Sequence, residues 1–103
     1  MPADALDDTL MALADPTRRS ILRRVLDGEA RVTELAKPFP MSLAAVSKHI
    51  LVLERAKLVQ RRRVGREHFL SFNPRPLDLA AVWIDTQRAL WNARLDALDE
   101  LLM

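Results

Sequence analysis

The sequence predicts a mainly α-helical chain with one small β-hairpin, in the order helix, helix, helix, helix, strand, strand, helix. Three patterns carry this. Apolar residues recur three and four apart up to Ala56, with breaks at Asp15-Pro16, Asp27-Gly28 and Pro38-Phe39-Pro40. From Leu58 to Phe72 the pattern becomes two short extended runs around Gly65-Arg66. A long stripe with helical spacing then runs from about Leu77 to Leu101. At 103 residues, half of them apolar, the chain has room for one core, so residues 1–103 are expected to form a single domain.

The first helix is expected from about Asp4 to Ala14, with Leu6, Leu10, Leu13 and Ala14 on one face. Asp15 suits an N-cap and Pro16 a first helical position, so a second helix starts there, with Ile21, Leu22, Val25 and Leu26 as its buried stripe. Its other face carries Arg18, Arg19, Arg23 and Arg24, either a solvated surface or a reach toward phosphates from the N-terminal end. A short helix from about Thr33 to Lys37 is closed by the two prolines. Ser42 caps a longer helix reaching about Ala56, with Met41 placed to pack on Val46. Strands are expected over Leu58–Val64 and Glu67–Phe72. Asn73-Pro74-Arg75-Pro76 breaks the second strand, and the last helix carries Trp83, Leu90, Trp91, Leu95 and Leu98 along one side. So long an apolar stripe calls for burial against something besides its own small core.

Composition removes several classes of function. With no cysteine there is no disulfide, thiolate metal site or cysteine nucleophile. The residues Met1 to Asp8 are acidic, unlike a secretory signal, and no apolar run reaches the ~20 residues of a membrane span, so a soluble cytoplasmic protein is expected. The serines and the two histidines form no nucleophile–base pattern, which argues against an enzyme, and no cofactor is expected. Net charge is only +2, but Met1 to Asp15 holds four aspartates and no base, while Ser42 to His68 holds seven bases against Glu54 and Glu67. Concentrated cations suit a polyanion; a solvated run is the plainer alternative.

On the Ser42–Ala56 helix, Val46, Ile50 and Leu53 form the core face, with Leu43 and His49 at its edges and Leu51 exposed. The opposite face offers Ala44, Ala45, Ser47 and Lys48, small enough for a helix to lie in a major groove ~12 Å wide. Ala can touch a thymine methyl, Ser can donate or accept, and Lys48 can reach guanine or phosphate. A histidine beside an apolar face is more often a hydrogen-bonded structural residue than a metal ligand. Arg61, Arg62, Arg63 and Arg66 surround the hairpin tip; Arg61 and Arg63 project to one side and Arg62 and Val64 to the other. These arginines suit phosphates or a narrow minor groove, though charges also protect edge strands.

A short helix, a proline-bounded turn, a capped helix and a basic hairpin make the order of a winged helix-turn-helix. Leu13-Ala14-Asp15-Pro16-Thr17-Arg18-Arg19, Val32-Thr33-Glu34-Leu35-Ala36, Met41-Ser42, Val46-Ser47-Lys48-His49-Ile50 and Asn73-Pro74 together resemble the ArsR family of winged-helix repressors over nearly the whole chain. The resemblance implies a homodimer formed through the first and last helices, by Leu6, Leu10, Trp83, Leu90, Trp91, Leu95 and Leu98. It also implies that Ser42, Ala44, Ala45, Ser47, Lys48 and His49 enter the major groove of double-stranded DNA, and that Arg62, Arg63 and Arg66 belong to the wing. Metal-sensing members carry a cysteine pair where this chain has Arg31 and Thr33, and others use histidines on the last helix, which here has none. The chain therefore resembles the metal-independent branch, with no metal site expected. Lys57 stands where the family commonly has glycine, in a position that strains lysine if φ is positive.

The function expected is sequence-specific repression by a homodimer on an inverted-repeat operator. The rival is a protein-interaction module that keeps the winged-helix body and uses its arginines on an acidic protein.

Overall fold

The computed structural model describes residues 3–103; Met1 and Pro2, the start of the acidic N-terminal run, lie outside them. In chain order it forms α1 (Ala3–Leu13), α2 (Pro16–Leu26), β1 (Ala30–Arg31), α3 (Val32–Ala36), α4 (Leu43–Arg55), β2 (Val59–Val64), β3 (Glu67–Phe72) and α5 (Arg75–Leu102). The sheet is antiparallel in the order β1-β3-β2.

Local chemistry sets most boundaries. Asp15 caps α2 by accepting the Arg18 N–H at 3.1 Å, with Pro16 in the first turn, where a missing N–H costs nothing. Ser42 caps α4 in the same way, its hydroxyl accepting from Ala45 N–H at 3.1 Å. The predicted α3 is shifted by one residue because Val32 is already helical and buried with Leu35. β1 was not expected: two residues long, with Ala30 opposite Leu70 and Arg31 opposite Phe69, it is too short to leave a periodic trace. The final helix begins at Arg75 rather than Leu77, because Pro76 is tolerated in its first turn.

The core gathers Ile21 and Val25 of α2, Val46, Ile50 and Leu53 of α4, and Leu58 and Leu70 from the hairpin, all almost fully buried. Leu26, predicted in the α2 stripe, is 54% exposed: at about 100° per residue it falls past Leu22, at the edge of the face set by Ile21 and Val25. In α1 the buried positions are Thr9 and Ala12, whereas Leu10 and Ala14 are exposed and Leu6 and Leu13 half-buried. Thr9 is admitted because its hydroxyl donates to the Ala5 carbonyl at 2.9 Å.

Past α4 the chain passes through Lys57 at φ 61°, the left-handed turn that ends the helix. The Lys57 N–H donates to the Glu54 carbonyl, and Asn73 Nδ2 donates to the Lys57 carbonyl at 2.8 Å, so the turn is tied to the end of β3. A non-glycine residue is strained there, and Lys57→Gly is expected to raise stability by about 0.5–1 kcal/mol, read as a higher urea midpoint with an unchanged slope.

The 28-residue α5, about 42 Å long, packs its first turns on α1 and then leaves the body. Ala80 is buried, but from Ala81 onward every residue is exposed. The radius of gyration is accordingly 18.1 Å, against about 13 Å for a compact chain of this length. No helix among the described residues is long and apolar enough to cross a membrane.

Candidate nucleic-acid interface

Helix α4 lies across the body with its core face inward, which turns the short side chains of its first two turns outward. Ala44 and Lys48 are exposed, and Ala45 and Ser47 half-buried. Among the described residues no ion pair or hydrogen bond holds the Lys48 ammonium. Ser42 also stands exposed at this end, its oxygen engaged as the cap while the O–H stays available to donate. Between α4 and the hairpin is a cleft of about 360 Å³, lined by Leu43 and Ser47 of α4, Arg31 and Thr33 before and within α3, and Arg61, Arg66, Glu67 and His68 of the hairpin. The half-exposed Leu43 thus forms one wall of a largely cationic cleft. Leu51 is 46% exposed, and nothing in the described structure explains it.

His49 does not share this outward face. Its Nδ1 lies 3.2 Å from Arg18 Nη1, a group that can only donate, and 3.8 Å from Asp15 Oδ2, so the ring is turned onto α2. Arg18, half-buried, is likewise withdrawn from the α2 surface, and Arg19 Nη1 donates to the Leu13 carbonyl at 2.8 Å. Two of the four arginines that read as a solvated face therefore cap the end of α1.

The hairpin arginines divide by strand alternation. Arg61 faces α4, donating to Glu54 Oε1 from both Nε (3.2 Å) and Nη2 (2.6 Å), and contacts His68 Nδ1. Arg62 faces the other side, where Nε and Nη2 meet the two carboxylate oxygens of Glu29 at 3.2 and 2.6 Å and its guanidinium lies 4.9 Å from the centroid of Phe69. Arg31 joins this side, 5.7 Å from the same centroid and paired with Glu67 at 3.4 Å. Arg63 bends over the tip to the Gly65 carbonyl, while among the described residues Arg66 has neither an ion pair nor a hydrogen bond. Arg63 and Arg66 are thus left at the tip, and Arg62 serves the outer face.

Two carboxylates are perturbed. Asp15 is held below its ordinary value chiefly by the Arg18 backbone N–H, and Glu29 by the side-chain hydrogen bonds of Arg62, whose own value rises in return. A depressed folded pKa stabilises the fold above the unfolded value, about 4 for these groups, and that stability is lost as pH falls through the lower folded value. The thermal midpoint should be flat above about pH 5 and fall below about pH 4. Asp15→Asn, which can still cap, should show a shallower acid limb in a pH series of melting curves.

A capped helix behind a proline turn, an outward row of small and cationic side chains, and a basic hairpin beside it define a winged helix-turn-helix DNA-binding protein. A helix-turn-helix domain family matches residues 13–62. The chain is 38% identical over 96 residues to the HTH-type transcriptional regulator Rv2034 of Mycobacterium tuberculosis, covering 93% of this chain and 87% of that one. It is 28% identical to the transcriptional repressor SdpR of Bacillus subtilis over 77% of this chain and 88% of the relative. The crystal structure of the ArsR family transcriptional regulator RHA00566 superposes with a TM-score of 0.86 at 37% identity, over 89% of this chain and 95% of that one. An ArsR-like transcriptional regulator from Rhodococcus sp. RHA1 gives 0.83 at 30% identity, over 95% and 92%. The chain belongs to the ArsR family of transcriptional regulators. Its relatives are regulators rather than enzymes.

Proposed function

We propose that the protein is a homodimeric repressor that reads an inverted-repeat operator, with 42–56 as recognition helix, 58–72 as wing and 77–101 as dimerisation helix of a single domain. The observation that carries this reading is the cleft in which Ser47 of α4 faces Arg66 of the hairpin tip, with Ala44 and Lys48 exposed on the same helix and Arg63 exposed on the same tip. The dimer rests on the outer part of α5, where Trp83, Leu90, Trp91, Leu95 and Leu98 are 41–61% exposed and form one stripe, flanked on α1 by Leu6 and the 42%-exposed Leu10. Two symmetric copies would then present their recognition helices to half-sites about one helical turn apart, ~34 Å. Occupancy of an operator over a promoter blocks polymerase without further chemistry. Control is independent of thiolate metal binding, since Arg31 and Thr33 stand at the family's cysteine positions.

Selection from a random duplex pool tests this reading. Enrichment of an inverted repeat is expected, with affinity falling steeply as salt rises because phosphate contacts release counterions. Lys48→Ala should change which bases are preferred, costing about 1–3 kcal/mol on the selected site, while Arg66→Ala should weaken all sequences alike and reduce the salt slope by about 1. No enrichment would reduce the protein to a nonspecific DNA binder, and no binding at all would favour the protein-interaction module.

A further inference from the structure

Arg18 joins three elements. Its Nε donates to the Ala12 carbonyl at 2.9 Å and its Nη2 to the Met11 carbonyl at 2.8 Å, the latter shared with the Ala14 N–H at 3.2 Å, so the guanidinium sits on the carbonyl end of α1. Its third arm, Nη1, reaches His49 Nδ1 in α4 at 3.2 Å, and its backbone N–H is fixed by Asp15. The rigid fork of a guanidinium suits three acceptors in different directions; an ammonium on a flexible stem does not. His49 directly follows Lys48 and lies one turn from Ala45, so the bond at Nδ1 fixes the rotation of α4 about its own axis at the level of its outward face.

We propose that Arg18 is a positioning residue for DNA reading: it holds the roll of α4 against the end of α1 through His49 and makes no phosphate contact itself. This rests on the reading of α4 as the recognition helix. Because α1 also carries Leu6 and Leu10 of the proposed dimer face, one guanidinium joins the surface that pairs subunits to the helix that reads bases.

The test is a cycle of Arg18→Met, His49→Leu and the double variant, with His49→Asn beside it, measured for binding to the selected duplex across salt and for urea midpoint. Arg18→Met and His49→Leu should each weaken binding about tenfold with the salt slope unchanged, because no phosphate contact is lost. The double variant should bind no more than about twofold worse than either single one, since both break the same bond. His49→Asn, whose Oδ1 stands where Nδ1 stood, should stay within about twofold of the parent. Should Arg18→Met fail to fold, Arg18→Lys takes its place in the cycle. A salt slope reduced by about 1 in the Arg18 variant would make it a phosphate contact and overturn the proposal, as would independent losses that multiply in the double variant. If the parent protein selects no duplex, the recognition-helix reading fails, and the tether is judged on urea midpoints: shifts smaller than additive support it, additive shifts overturn it.

Discussion

A Trp91→Glu variant is expected to be a folded monomer that has lost operator binding. Trp91 is 61% exposed on the outer part of α5, where every residue from Ala81 onward is exposed, so the substitution removes little intrachain packing and circular dichroism should be unchanged. In a twofold interface each substitution occurs twice. At about 2 kcal/mol or more for each buried aromatic anchor, the dimer should weaken by about 4 kcal/mol, roughly a thousandfold. Light scattering coupled to size exclusion at micromolar concentration reads the mass directly. A variant that stays dimeric would remove Trp91 from the interface, and a parent protein that is monomeric would remove the dimer itself.

Ile50→Ala should have the largest effect on the fold. Ile50 is fully buried on the inner face of α4, among Val46, Leu53 and the α2 stripe. Truncation to alanine in such a place costs about 2–5 kcal/mol, the spread depending on how far the site collapses. Against a total of about 5–15 kcal/mol for a domain, that is enough to leave a sizeable unfolded fraction at 37 °C. Urea unfolding gives the loss, and the same preparation should bind DNA less tightly because α4 is no longer seated. A loss below about 1 kcal/mol would mean that α4 repacks and that its outward face is not set by the core.

What the sequence disclosed was whatever is governed by nearby residues. Asp15-Pro16 and Ser42 announced two helix starts because capping is a matter of three residues, and Gly65 marked the hairpin because the turn there runs at φ 61°. The face of α4 followed from its helical spacing. What stayed hidden depends on pairs far apart in the chain. Arg62 read as one of several tip cations until Glu29, 33 residues away, was found holding it. Arg18 read as part of a wet face, and His49 as an edge of the apolar face whose groove role came only from the resemblance, because neither position reveals a partner 31 residues distant. Alternation had already separated Arg62 from Arg61 and Arg63; the missing signal was Glu29, the acid just before β1. Leu26 was misplaced for a smaller reason, a face boundary that spacing alone locates only to within one residue.

The stacking of Arg62 between Glu29 and Phe69 bears on how the hairpin meets a ligand. An isolated two-stranded ribbon is barely stable in water and would have to be immobilised on docking. Here β1 adds a third strand, and the clasp ties the ribbon to the segment before it, so its conformational freedom is already lost when the protein folds. The prong is stiff before any duplex arrives. Docking of this proposed wing on DNA would therefore carry little ordering entropy, and loosening the clasp should act mainly as an entropic penalty on binding, felt most at high temperature.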